Sequence, residues 1–228
     1  MKIATVFEAD VDKKLAGRVY TGPGVSYIID TGKSLILFDL GIDLRRTLHN
    51  LHILGYDVEN IEHVVISHPH HDHLGGRWNE FFRYLDLSSF SEDVTVHAPV
   101  GIRANRRVTV YSDGVMEIDG ISVIAGFRTG YRMIPFNELY CVANDLLITG
   151  CGHYGIFRVL DRMNTLGLSI RHIWGGIHFR NTFTKETVSR FREYGIEKIY
   201  ISPHDTDTDN AEKYDGVEVL RVGYSLSM

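Results

Sequence analysis

Short apolar runs separated by turn residues dominate the first part of the chain. The segments KIATVF, VSYIID and SLILFDL have the length and apolar character of β-strands. Only the tripeptide TGK separates the last two, so a tight hairpin is predicted between them. The chain is therefore expected to begin with β-structure.

A helix and a buried strand are predicted next. Between Asp43 and Gly55, leucines recur at helical spacing, with Asp43 placed to cap the helix and Gly55 to end it. The nearly continuous apolar run IEHVVIS then has the character of a strand buried on both faces. That strand leads directly into His68.

The remaining pattern predicts further hairpins followed by strand–helix units. Hairpins are expected to turn at Asp119–Gly120 and at Asn144–Asp145. Helices are predicted over RWNEFFRYLDL, GIFRVLDRMNTLG and KETVSRFREYG, and strands over VTVHA, IRHIW and IEKIYIS. Since hairpins precede strand–helix units in each half, the pattern favours an α/β (α+β) class with two packed sheets and helices outside.

Composition adds expectations about the setting of the protein. The 228 residues are 44% apolar and 23% charged, which is typical of one soluble globular domain over residues 1–228. A net charge of −5 argues against a nucleic-acid partner, and no apolar run is long enough to cross a membrane. Two cysteines and the absence of a signal-peptide pattern lead us to expect a cytoplasmic location; the oligomeric state stays open.

The candidate chemistry lies in the segment SHPHHDHLGG. On an extended strand end, His68 and His70 share a face, and the turn that follows brings Asp72 and His73 towards the same cavity. The position of His71 directs it away, so we predict that it is not a ligand. Imidazole and carboxylate groups suit zinc, iron and manganese.

The number of donors in this loop indicates two metal sites. A catalytic zinc site usually takes three protein ligands and a water, whereas the loop alone offers four donors. The alternative is an exposed histidine run or the remnant of a tag. The apolar strand that precedes the loop argues against that alternative.

The pattern His-x-His-x-Asp-His after an apolar strand, with Gly-Gly following, resembles the metallo-β-lactamase superfamily. The resemblance covers nearly the whole chain and implies one domain with a four-layer αββα sandwich and a site at one edge. In that family, the counterparts of His68 and His70 hold one metal, and those of Asp72 and His73 hold the second. Asp39 matches a carboxylate that supports the metal loop.

Three later segments resemble one branch of the superfamily. LLITGCGHYGI, IWGGIH and ISPHDT are similar to segments in archaeal and bacterial relatives of the enzyme that joins a dihydropterin to ribofuranosylaminobenzene phosphate. The resemblance implies His153 as the third ligand of the first metal, with a helix-capping histidine as the alternative. It implies His204 as the ligand that completes the second metal site, with an ordinary loop histidine as the alternative.

The chain departs from the family pattern at two places. Many relatives have a bridging aspartate where this chain has Cys151, so that residue is either a thiolate ligand or a buried cysteine that binds no metal. The branch usually has Cys-Thr-Gly after its last histidine, whereas this chain has Asp205-Thr206-Asp207. Asp205 could take over contact with the substrate or the handling of a proton.

Catalytic and substrate-binding roles are assigned to a few further residues. His178, at the end of the strand IRHIW, is expected to act as an acid or as a hydrogen-bond partner of the substrate. Asp72 is expected to act in catalysis as well as in metal binding. Arg128 and Arg132 flank RTGY in a segment that faces substrate in the related branch, so we expect them to bind an anionic small molecule.

These features predict a metallohydrolase with two divalent ions, zinc first, with iron or manganese as alternatives. A metal-bound hydroxide would attack a small anionic ester, phosphodiester or lactone. The arginines of GIRANRR suit the same anions or form a solvated face. The alternative functions are a non-hydrolytic transferase like the pterin-adduct enzyme and a catalytically quiet metal-binding sensor.

Overall fold

The computed structural model describes residues 1–131, 134–179, 183–209 and 211–228. Sixteen strands are found among these residues: β1 Lys2–Phe7, β2 Ser26–Asp30, β3 Leu35–Phe38, β4 Ile61–Val65, β5 Tyr84–Leu85, β6 Thr95–Pro99, β7 Arg103–Ala104, β8 Arg107–Tyr111, β9 Gly114–Ile118, β10 Ile121–Tyr131, β11 Ile134–Ala143, β12 Leu146–Thr149, β13 His172–Gly175, β14 Lys198–Ile201, β15 Val217–Val219 and β16 Ser225–Ser227. The α-helices are α1 Leu44–Ile53, α2 Arg77–Phe82, α3 Ile156–Thr165 and α4 Lys185–Glu193. Short 3₁₀ turns cover Lys13–Leu15, Val58–Asn60 and Ala211–Lys213.

Two seven-stranded sheets form the centre of the fold. The first has the order β16-β1-β2-β3-β4-β6-β8 and the second the order β15-β14-β13-β12-β11-β10-β9. In each sheet the early strands pair antiparallel as hairpins and the later strands pair parallel, except that the last strand, β16, pairs antiparallel with β1. The predicted order of hairpins and strand–helix units is therefore confirmed.

Alternation along the strands divides the apolar side chains between an inner and two outer cores. On β2, Tyr27 and Ile29 pack between the sheets, and Ile28 points to the outer face. On β10, Val123 points inward and its neighbour Ile124 points outward. Because both faces of each sheet are covered, the strands are apolar at consecutive positions.

The helices cover the outer faces of the sheets. Asp43 caps α1 by accepting a hydrogen bond from the Arg45 backbone N–H at 3.0 Å, and Leu51 buries the helix against the first sheet. On α3, the buried residues recur at the spacing of one helical face and pack on the second sheet: Ile156, Val159, Leu160 and Met163. The result is the expected α/β arrangement of helix, sheet, sheet and helix.

The helix predicted over RWNEFFRYLDL is wrong in its second half. Helix α2 ends at Phe82, since Arg83 adopts a left-handed backbone with φ of 50°. The following residues, Tyr84 and Leu85, form β5, which pairs with β7. Helical spacing alone did not reveal this stop because arginine seldom takes a left-handed conformation.

None of the helices in the described part of the chain is long and apolar enough to cross a membrane.

A polar network ties the first sheet to the turn before β10. His97 Nδ1 lies 2.7 Å from the Tyr111 hydroxyl, and His97 Nε2 lies 3.0 Å from His63 Nδ1. His63 Nε2 in turn contacts an Asp119 carboxylate oxygen at 3.2 Å. Burial, together with the neighbouring His63, lowers the pKa of His97 to about 4.

Replacing His97 by glutamine should therefore reduce the acid sensitivity of the fold. In the unfolded chain His97 becomes protonated below about pH 6.5, whereas in the folded protein it stays neutral down to about pH 4. The free energy of unfolding therefore falls as the pH is lowered from about 6.5 to about 4. Between pH 7.5 and 4.5 we expect the metal-free variant to lose about 2 kcal/mol less free energy of unfolding than the parent. Urea titrations at both pH values, with the exposed His52→Gln as the control, measure this difference. Equal losses in His97→Gln and the parent would contradict it.

Candidate metal centre

The candidate site lies at the edge of the sheets where several parallel strands end. The loops that follow β4, β12, β13 and β14 meet there, because the carboxyl ends of parallel strands lie at a common edge. They enclose a cavity of about 730 Å³. Most of the residues expected at the site line it: His70, Asp72, Cys151, His153, His178, His204 and Asp205.

The predicted ligands form two clusters. In each cluster the ligand atoms lie within 4.8 Å of one another, close enough for one ion to contact all of them. The first cluster consists of His68, His70 and His153. The second consists of Asp72, His73 and His204. The two sets expected from the sequence are thus brought together by loops far apart in the chain.

Cys151 lies between the two clusters. Its Sγ is 3.1 Å from Nε2 of His73 and 3.1 Å from Nε2 of His204, and the side chain is buried. It also falls within 4.8 Å of donors of both clusters. Burial, reinforced by the nearby carboxylates of Asp205 and Asp72, raises the pKa of the Cys151 thiol. A divalent cation at this position would reverse that effect and favour the thiolate.

Asp39 holds the histidine loop from beneath. Its Oδ1 accepts a hydrogen bond from the Ser67 backbone N–H at 2.7 Å, and its Oδ2 accepts from Ser67 Oγ at 2.6 Å. His73 Nδ1 also donates to Oδ2, at 2.7 Å. Burial raises the pKa of Asp39, and the charge on His73 and these hydrogen bonds oppose the rise.

The same serine sets the tautomer of His68. Because its hydroxyl proton goes to Asp39, Ser67 Oγ accepts from His68 Nδ1, which lies 2.9 Å away. The lone pair of His68 is therefore on Nε2, a buried atom with no hydrogen-bond partner among the described residues. A buried unpaired acceptor is costly, and a metal ion would satisfy it. The donor set therefore fits a metal.

A similar series of hydrogen bonds supports His204. It runs from Glu8 through Ser202 to His204, and we call it the Ser202 relay. Ser202 Oγ donates to Glu8 Oε2 and lies 2.6 Å from His204 Nδ1, and Glu8 Oε1 accepts from the Ala9 N–H at 2.8 Å. Burial raises the pKa of Glu8 to about 8. Because the Ser202 hydroxyl proton goes to Glu8, Ser202 Oγ accepts from His204 Nδ1, and Nε2 of His204 is left to face Cys151.

A third buried carboxylate holds the loop after β12. Glu138 Oε1 accepts a hydrogen bond from the Gly152 N–H at 2.9 Å, and Oε2 accepts from the Tyr154 N–H at 3.1 Å and from the Tyr140 hydroxyl. These bonds fix the loop that carries Cys151. Burial raises the pKa of Glu138. Each of the three loops that carry candidate ligands is thus anchored by one buried acid.

Burial also leaves most of the histidines neutral. It lowers the pKa of His70 and of His204 to about 4 and that of His153 to about 3. Neutral imidazole is the form that binds a metal. His73 differs: burial lowers its pKa, but Asp39 and Asp72 outweigh that effect and raise it to about 9. Metal binding to His73 would therefore release a proton.

Comparison with known proteins agrees with this architecture. The structure aligns over the whole of both chains with zinc-bound PqqB from Methylobacterium extorquens, at a TM-score of 0.63 and 12% identity. It aligns with a diphosphatase of the PhnP family over 100% of this chain and 97% of that one, at a TM-score of 0.60 and 12% identity. The family model described as the metallo-beta-lactamase superfamily matches residues 19–129, which contain the whole histidine loop.

Residues 19–129 match the metallo-β-lactamase superfamily, and the fold of the described residues agrees with that match. Among curated proteins the chain is similar to an uncharacterized protein of Methanocaldococcus jannaschii, with 24% identity in an alignment 204 positions long that covers 74% of this chain and 77% of that protein. The superfamily fold accounts for the position of the two donor clusters, because it places strand ends from both sheets at one edge.

His71 lines the metal cavity but belongs to neither donor cluster. Its Nδ1 lies 3.3 Å from Glu80 Oε2.

His178 and Asp205 lie beside the clusters. Asp205 Oδ2 accepts from the His178 backbone N–H at 3.1 Å and lies 3.7 Å from His178 Nδ1. The ring of His178 is 4.5 Å from that of His153.

The arginines expected to bind substrate are placed differently. Arg128 is exposed on β10 and is not among the described residues that line the metal cavity. Arg132 lies outside the described residues. Arg77, which sequence reasoning missed, lines the cavity.

The GIRANRR cluster supports loops rather than the cavity. Arg106 donates hydrogen bonds to the backbone carbonyls of Ser91 at 3.0 Å and Phe90 at 3.2 Å, and Arg103 donates to the carbonyl of Phe82 at 3.3 Å.

Asp39 was expected to support the loop, but the other supporting acids and the two serines were missed, although the sequence carries a weak signal for them. Ile-Ser precedes both His68 and Pro203–His204 at a strand end, and Glu8 follows the first apolar run directly. An acid next to a fully apolar strand indicates a buried hydrogen-bond partner.

Removing the Ser202 hydroxyl should weaken metal binding at the second donor cluster. Replacing Ser202 by alanine leaves His204 Nδ1 without its partner and its tautomer unfixed, so we expect 10- to 100-fold weaker binding at the second cluster (about the effect of losing such a partner). Competition of zinc-loaded protein with a chelator measures the affinity. The control is Ser26→Ala, since the buried Ser26 hydroxyl has no hydrogen-bond partner among the described residues. Unchanged affinity in Ser202→Ala would show that the relay does not act on the metal.

Proposed function

We propose that this protein is a metal-dependent hydrolase with two divalent ions, zinc in the first instance and iron or manganese as alternatives. The observation that carries the proposal is the pair of three-donor clusters on either side of Cys151, in an open cavity at the sheet edge. His68, His70 and His153 would hold one ion, and Asp72, His73 and His204 the other. Cys151 would lie at the position between them.

Divalent ions held by these donors would supply Lewis acidity and an activated water, which suits attack on a carbonyl or phosphoryl centre. The protein itself orients the proton carriers. The side chain of Asp205 is buried and holds the backbone of His178, and the hydrogen bonds that Asp205 accepts from His178 and Thr206 lower its pKa, as the neighbouring His204 does. Although burial opposes them, these contacts lower the pKa of Asp205, so it stays ionised beside His178.

Two divalent ions together with Arg77 would attract a small anionic substrate and would offset the carboxylates that line the cavity, which are those of Asp72, Glu80, Asp205 and Asp207. Arg77 lines the cavity, and an arginine fork suits carboxylate or phosphate groups. His178 is placed to donate a proton or a hydrogen bond to a leaving group. We propose an ester, phosphodiester or lactone as the substrate class. The similarity in fold to a diphosphatase agrees with this class.

Metal content and turnover together test the proposal. Elemental analysis of untagged, reconstituted protein should find about two ions per chain. His68→Ala should lose one ion and reduce turnover about 100-fold or more, because the first cluster loses a donor. His71→Ala is the matched control within the same loop and should keep both. Two ions in His68→Ala, or none in the parent, would contradict the proposed cluster. Two ions without hydrolysis, but with pyrophosphate release from a phosphoribose donor, would favour a transferase instead.

Cobalt substitution tests Cys151 directly. A thiolate ligand gives a sulfur-to-cobalt charge-transfer band in the near-ultraviolet, and Cys151→Ser should abolish it. Cys141→Ser is the matched control, since Cys141 is buried on β11 and belongs to neither donor cluster. A parent spectrum without the band, despite bound cobalt, would show that Cys151 is not a ligand.

A further inference from the structure

A second cavity opens beside the metal centre. It has a volume of about 340 Å³, and His153 and His178 line both it and the metal cavity. The two cavities therefore adjoin across these two rings. A molecule with one end at the donor clusters could extend past His178 into the second cavity.

The walls of this second cavity are largely apolar. Phe157 and Phe179 stand edge to face, with ring centroids 6.1 Å apart, and Ile156 and Ile177 complete the apolar lining. Such a surface suits a flat aromatic or short aliphatic group. The volume is near the lower limit for a small-ligand pocket and is enough for one ring with a short chain.

Two arginines line this cavity; Arg190 shares a side-chain hydrogen bond with Tyr194 and keeps further N–H groups for a ligand. The guanidinium of Arg158 lies 4.1 Å above the ring of Tyr154, and that of Arg190 lies 3.9 Å above the ring of Phe157. Stacking uses the face of a guanidinium and leaves its N–H edge available for an anion. Within the described part of the chain, neither lies within 4.0 Å of a carboxylate, whereas Arg162 on the same helix pairs with Asp113 at 3.7 Å.

We propose that this cavity binds the distal part of the substrate, an apolar group that ends in a carboxylate or phosphate held by Arg158 and Arg190. The inference rests on the proposed hydrolase function, because it places the scissile bond at the metal cavity. It narrows the substrate class to small amphipathic anions. The two arginines are a local positive site on a chain whose net charge is −5.

Binding of matched probes tests the site without requiring hydrolysis. The probes are 3-phenylpropanoate, its neutral amide 3-phenylpropanamide, and 2-phenylethylphosphonate, titrated by calorimetry into metal-free and zinc-loaded protein. We expect at least one of the two anions to bind both forms about fivefold or more tighter than the amide, as charge-assisted hydrogen bonds require. The better anion identifies the natural end group.

Variants locate the anion. Arg158→Gln and Arg190→Gln should each reduce the preference for the anion over the amide, and the double variant should abolish it. Arg162→Gln, one turn further along α3, should keep it. The proposal would be overturned if the anions and the amide bound equally well. It would also be overturned if the preference for the anion required zinc and persisted in the Arg158→Gln, Arg190→Gln double variant. The metal-free protein is also measured, so a preference for the anion would support this second site even if no hydrolysis were found. If the enzyme hydrolysed a substrate but showed no preference for the anion, only the second site would be rejected, and the proposed hydrolase function would stand.

Discussion

The position of the histidine loop depends on the hydrogen bonds that the buried carboxylate of Asp39 accepts. A charge taken out of water is costly unless hydrogen-bond donors surround it, and here Ser67 supplies two donors and His73 a third. Those three bonds leave the loop little freedom to move. They also orient His68, because the Ser67 hydroxyl that donates to Asp39 must accept from His68. One buried acid thereby fixes residues of both candidate clusters.

The same principle operates at the other two loops. Glu8 holds Ser202, which is 194 positions away, and through it His204, and Glu138 holds the backbone beside Cys151. All three acids are completely buried, and each has backbone or hydroxyl donors pointed at it. Rigid support of this kind matters for a metal site, since small errors in ligand position are costly. The site therefore depends on polar contacts within an otherwise apolar sandwich.

The two-sheet architecture explains why such contacts can exist. Strands β4 and β14 lie in different sheets, yet their carboxyl ends reach the same edge. Glycine is required where these loops pass closest to each other: a Cβ at Gly150 would lie 2.3 Å from Ser67 Oγ. The close approach that brings Cys151 between the clusters therefore needs the absence of a side chain at the preceding position. The second cavity, on the far side of His153 and His178, results from the packing of α3 and α4 against the same sheet.

The sequence by itself determined the features that depend on local spacing. Alternating and helical apolar patterns predicted most of the strands and helices, and the spacing of His68, His70, Asp72 and His73 predicted a shared set of donors, because neighbours in one short loop cannot lie far apart. His153 and His204 could be assigned only by resemblance to a family. Tertiary structure alone decided the partnership of Glu8 with Ser202, the exposure of Arg128, and the position of Arg158 and Arg190 at a second cavity. The physical reason is that these contacts join segments distant in the chain, so their distances follow from how the two sheets and their helices pack and not from any local pattern.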